Sequence, residues 1–82
     1  MTTLEIRNVD PEVLRGYLVA ELGGEPRPDG SVRGQGWRAT FLRLPDAPVG
    51  ALTVPAVEVR FAGEGSGDAA AFLARRAMRG GG

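Results

Sequence analysis

The chain has 82 residues, 43% of them hydrophobic and 24% charged, and its ten basic side chains, all Arg, balance ten acidic ones. A chain of this length makes one small domain that buries about 60% of the surface its unfolded form exposes, and its zero net charge supplies no long-range field toward nucleic acid or an anionic membrane. Cysteine and histidine are both absent, which removes disulfides, thiolate and imidazole metal ligands, Cys nucleophiles, Ser-His pairs and any side chain that titrates near neutrality unperturbed.

The opening MTTLEIRNVDPE has no basic stretch followed by an apolar one, and no window approaches 18 uninterrupted apolar residues, so a soluble cytoplasmic protein is the expectation. Residues 3–9, TLEIRNV, alternate Leu4, Ile6 and Asn8 against Glu5 and Arg7 and predict a half-buried strand. A helix follows. Asp10 caps it, Pro11 suits its first position, Glu12 meets the positive end of the dipole, and Leu14, Leu18 and Leu22 with Val13 and Tyr17 form its apolar stripe up to the Gly23-Gly24 stop.

EPRPDGS at 25–31 reads as a turn, because Pro presets φ while Asp and Gly accept tight geometry. Over 31–44, Trp37, Ala39 and Phe41 alternate with Arg38, Thr40 and Leu42 as a strand, and Gly34 with Gly36 marks a bulge or a short hairpin that separates Ser31–Arg33. PDAP at 45–48 reads as another turn, and a hairpin is expected to join 49–54 to 57–62 around Pro55-Ala56, with Val57, Val59 and Phe61 inward. The last helix begins after GEGSG, with Ser66 as cap, Asp68 in the first turn, a stripe of Ala70, Leu73, Ala74, Ala77 and Met78, and a stop at Gly80.

The predicted fold is therefore α+β: a single mostly antiparallel sheet with two helices on one face, in the order β-α-β(3-4)-α, with a ferredoxin-like sandwich as the alternative. Residues 1–82 form one domain, and 80–82 form a flexible Gly tail.

Candidate sites are few. GQGWRA at 34–39 mimics a dinucleotide fingerprint, but strand-like residues follow its glycines where a helix is required. GEGSGD at 63–68 precedes a helix, yet Glu64 and Asp68 would repel an incoming phosphate. Phe72 beside Arg75, Arg76 and Arg79 is a candidate partner-binding patch, set against Phe72 folding over the core edge under the Arg stems. Glu21 lies within the first helix's stripe, where it swings to water or meets an Arg. Asp10, Asp29, Asp46 and Asp68 all fall at turns or caps, and no Ser, Thr or Tyr has a visible base, so no catalytic, cofactor or metal residues are expected.

The closing MRGGG raises the question of a tail chemically activated at its terminal carboxylate, with Gly81 and Gly82 as the modified end. Against this stands the helical character of the residues that lead into it. The element order over 3–79, the GWRATFLRL and VEVRFAG strands and the closing MRGGG together resemble the small C-terminal domain of MoaD-related (molybdopterin synthase small-subunit-like) proteins, a TBP-like fold of order β-α-β4-α. The resemblance implies an accessory role in molybdopterin cofactor biosynthesis or sulfur transfer and supplies no catalytic residues. A direct sulfur-carrying role would need a β-grasp part that this chain lacks. The expected partner is another protein, or a second copy through an exposed edge strand at 31–44, with no cofactor, nucleic acid or membrane.

Overall fold

The computed structural model describes the backbone of residues 1–81 and the side chains of residues 1–77. The elements run β1 (Thr2–Arg7), α1 (Pro11–Leu22), β2 (Glu25–Pro26), β3 (Val32–Gly34), β4 (Trp37–Val49), β5 (Leu52–Ala62) and α2 (Ser66–Gly81). All five strands join one sheet in the order β1-β5-β4-β3-β2, and every pairing is antiparallel. The fold is α+β, and among the described residues α2 is not followed by the further strand that a ferredoxin-like sandwich has.

Local chemistry sets α1. The Asp10 carboxylate accepts from the Glu12 backbone N–H at 2.9 Å, Pro11 occupies the first turn, and Gly23 ends the helix at φ 69°. Leu14 and Leu18 are fully buried and Tyr17 and Leu22 pack beside them, whereas Val13 is 44% exposed and leaves the stripe. The first helical turn of α2 starts one residue earlier than its sequence suggests. Ser66 lies inside the helix, Gly65 accepts from the Ala69 N–H at 3.1 Å, and the Gly65 N–H itself donates to the Gly36 carbonyl at 2.8 Å. The far end runs to Gly81 rather than stopping at Gly80, within the residue or two by which helix ends are defined. Of the expected 80–82 tail, Gly82 lies outside the described residues.

Register places the core on one sheet face. Ile6 opposes Val57 and Leu4 opposes Val59, while Phe61 opposes Ala39, which in turn opposes Val32 on β3. Both helices cover that face, with Leu14 and Leu18 of α1 and Ala69, Ala70, Leu73 and Ala77 of α2 in the same buried cluster. Trp37 completes the core at 9% exposure, its ring tilted against Phe61 at 6.4 Å between centroids. An arginine ties α1 down. Arg15 donates to the Gly30 carbonyl at 2.7 Å and lies 4.9 Å over the Phe41 ring, fastening α1 to the 27–31 loop and the sheet.

The structure corrects three sequence expectations about this sheet. The segment 25–31 contains a two-residue strand, since Glu25 and Pro26 pair with Arg33 and Val32. Ser31 itself precedes the short strand, and the Gly34/Gly36 pair marks a hairpin around Gln35 and Gly36. Third, PDAP is not a turn and Pro55 is not at a hairpin apex. β4 continues through Pro45–Pro48, β5 includes Pro55, and the turn is Gly50-Ala51, with Gly50 at φ 61°. Prolines fit here because each needs no partner for a missing N–H: β3 pairs with β4 only as far as Ala39, so Pro45 and Pro48 sit beside an open edge. The Pro55 carbonyl accepts from the Asn8 N–H at 2.8 Å, just past the end of the β1 ladder. Asn8, expected in the strand, turns out of it at φ 63°, a conformation Asn tolerates better than most.

Candidate functional site

The β4–β5 hairpin outruns the rest of the sheet. Pairing with β1 ends at Ala56, and the remaining hairpin projects as an arm, giving a molecule 41 Å long against 24 and 21 Å in its other dimensions. A β-bulge decides which side chains the arm presents. Between the pairs Leu44–Ala56 and Ala47–Val54, β4 advances three residues (44 to 47) while β5 advances two (56 to 54). Side-chain alternation on β4 therefore switches parity. Without that extra residue, Asp46 and Pro48 would follow Leu42 and Leu44 on one face. With it, Ala47 and Val49 do.

The consequence is an apolar strip on the sheet face opposite the helices. Leu44 pairs with Ala56, Ala47 with Val54 and Val49 with Leu52, and Leu42 adjoins them beside Glu58. Leu42 is 50%, Val49 51% and Leu52 72% exposed, while Leu44 and Val54 are half-buried. Scattered exposed apolar side chains are ordinary, but a contiguous set on a projecting element is a candidate interaction surface. Nothing in the sequence periodicity announced it, because the strip exists only once the bulge and the true turn are known.

Farther down the same face the side chains become polar. Row by row, Glu5 faces Glu58, Thr3 faces Arg60 and Arg60 faces Thr40. The carboxylates are steadied along the strands, Arg7 bonding Glu5 at 3.0 Å and Arg60 bonding Glu58 at 2.6 Å. Both arginines are more than half exposed, so these pairs contribute little to stability and form instead a solvated polar field beside the apolar strip.

The structure places three of the four helix residues singled out by sequence, Phe72, Arg75 and Arg76. Phe72 packs, half-buried, against the core. Arg76 reaches across to α1, donating to Glu21 at 2.9 Å with its guanidinium 4.5 Å over the Tyr17 ring. Glu21 thus meets an Arg, and Arg76 acts as a tie between helices. Arg75 is exposed. The Arg79 side chain and the proposed modified end at Gly82 fall outside the described residues, and Gly81 is the last residue of α2.

The carboxylates serve the backbone at Asp10 and Asp29, the latter accepting from the Ser31 N–H at 2.9 Å and its hydroxyl at 2.6 Å. Asp68 lies in the first turn of α2, and Asp46 sits at the bulge rather than in a turn. Among the described residues, no group of three or more acidic side chains is placed to hold a metal ion. No helix among them is long and apolar enough to cross a membrane.

A comparison with curated proteins finds no match. The model of one family, described as archaeal MoaD-like protein, matches residues 2–82. With essentially the whole chain covered, this α+β protein belongs to the archaeal MoaD-like family.

Proposed function

We propose that the protein is a non-enzymatic accessory module that holds a protein partner on the apolar outer face of the β4–β5 arm, in molybdopterin cofactor biosynthesis or sulfur transfer. The observation that carries this reading is the projecting strip of Leu42, Leu44, Val49, Leu52 and Val54, which the bulge aligns and no helix covers. The process is suggested by the MoaD-like family. Large side chains at the centre of such a strip carry most of a partner's binding free energy, and the polar rows beside it set orientation.

The test is capture of partners from the native host with wild-type protein, Leu52→Asp and Arg75→Glu, followed by affinity measurement with the purified partner. The expected result is a partner retained by wild type and Arg75→Glu and lost by Leu52→Asp, with all three proteins folded. Retention by Leu52→Asp, or loss through Arg75→Glu, would move the interface off the arm. Intact mass of the native protein addresses the other reading, a carrier activated at its Gly82 carboxylate. An accessory module keeps an unmodified terminus, and a thiocarboxylate or conjugate would replace this proposal with that one.

A further inference from the structure

At the end of the sheet away from the arm, a cleft of about 790 Å³ opens between the 27–29 segment, the Gly34–Gly36 turn and the corner at 62–64. Its walls bring together Arg27, Arg33 and Arg38. Register sets Arg33 directly opposite Arg38 on neighbouring strands, an arrangement in which like charges repel. The protein answers only part of that charge. Arg38 donates to Asp29 at 3.1 Å through one nitrogen of its fork, and Arg27 bonds Glu25 at 2.8 Å. Arg33 has no ion-pair partner among the described residues.

Asp29 is not a free competitor for a ligand's place. The Ser31 N–H and hydroxyl both donate to its Oδ1 while Arg38, more than half exposed, donates to Oδ2, so both of its oxygens are already engaged. The corner that carries these walls is tightly packed. A Cβ on Gly34 would lie 2.0 Å from the Trp37 ring, and one on Gly63 would lie 2.3 Å from the Gly36 carbonyl oxygen, so glycine at both positions lets the turn and the corner close on each other.

We propose that this cleft binds a phosphorylated small molecule, with its phosphate seated between Arg33 and Arg38. A dianion there relieves the cross-strand repulsion and takes charge-assisted bonds from two planar forks, each able to engage two oxygens at once. A bare ion would fill a small part of the cleft. A volume within the range of small-molecule sites leaves room for the organic portion beyond the phosphate. Glu64, also in the lining and without a partner among the described residues, opposes an anion and tunes affinity downward. The inference does not rest on the partner reading, because the cleft and the arm lie at opposite ends of the sheet.

Trp37 is the only tryptophan and lines the cleft, so its fluorescence reports occupancy directly. The full chain is titrated with pyrophosphate, with citrate and with sodium chloride at matched ionic strength. The expected result is a saturable change with pyrophosphate alone, weakened about tenfold in Arg33→Ala, where two charge-assisted bonds are lost, and strengthened in Glu64→Gln. Both side chains are exposed, and thermal melts confirm that the variants stay folded. No saturable response, the same response to chloride, or undiminished binding by Arg33→Ala overturns the proposal. So does a citrate response as strong as that of pyrophosphate, which would make the cleft a carboxylate site.

Discussion

Replacing Gly63 with Ala should damage this protein far more than the same change at Gly50, although both glycines have positive φ. At Gly63 φ is 106°, and an added Cβ would stand 2.3 Å from the Gly36 carbonyl oxygen and 3.1 Å from the Trp37 Cα. These are backbone atoms, so no side chain can swing away. Relief requires the corner to open, and the Gly36 carbonyl also accepts from the Gly65 N–H at 2.8 Å, at the entry to α2. Backbone strain of roughly 1–3 kcal/mol and a weakened hydrogen bond of about 1 kcal/mol are offset by roughly 0.4–1 kcal/mol from the stiffer unfolded chain. The net cost is about 1–3.5 kcal/mol, against a total stability of roughly 4–12 kcal/mol for a domain of this length. Gly50, at φ 61° with nothing within 4 Å, pays only the conformational term, about 1 kcal/mol or less after the same offset. Urea titrations read as midpoint shifts at constant slope measure both, and thermal melts should show Gly63→Ala lower by roughly 5–25 °C. Equal costs at the two positions would refute the close-approach argument and with it the described packing of this corner.

Leu73→Ala removes a side chain with no exposure and should cost about 2–5 kcal/mol, whereas Leu52→Ala on the arm should stay within about 0.5 kcal/mol in the same urea assay. Arg76→Ala should cost about 1 kcal/mol, since its ion pair with Glu21 is more than a third exposed on both sides and the remainder comes from the Tyr17 ring. A double-mutant cycle with Glu21→Gln should yield a coupling below about 1 kcal/mol that shrinks with salt. The Asp29 carboxyl should titrate below its ordinary value of 3.8, chiefly because the Ser31 hydroxyl donates to it, then through the Ser31 N–H and Arg38. Because the folded value is the lower one, its stabilising contribution is present at neutral pH and fades as pH falls through the folded pKa. Carboxyl NMR titration of wild type and Ser31→Ala checks this, with the variant's midpoint expected to move up toward the ordinary value.

How much was legible depended on whether a signal was local. Asp10, Pro11 and Gly23 bracket α1 in sequence as they do in space, because capping is decided within one turn. The inward set of Val57, Val59 and Phe61 was equally readable from alternation. Proline misled because its meaning depends on neighbours that only the fold supplies. Pro45, Pro48 and Pro55 read as turns, yet each sits in a strand where no donor is demanded. The apolar strip was hidden for the same reason, since its members share a face only after a one-residue insertion resets the count on β4. Two-residue β2 has too few residues to show a period at all. The cleft arginines are not legible in sequence because register pairs Arg33 with Arg38 and the 27–31 loop brings Arg27 to them, both of which only the fold supplies.

Pro45 and Pro48 carry a consequence for how the arm can be used. A neighbouring backbone seeking to extend the sheet along β4 would find donors missing at two positions within four residues. Such a hairpin can be gripped across its flat but not lengthened from its side. On the proposed reading of the arm, recognition then follows the shape of the partner's surface and makes no demand for an unfolded peptide. The same two gaps keep a long, greasy finger from seeding stacks of its own kind when the protein is concentrated.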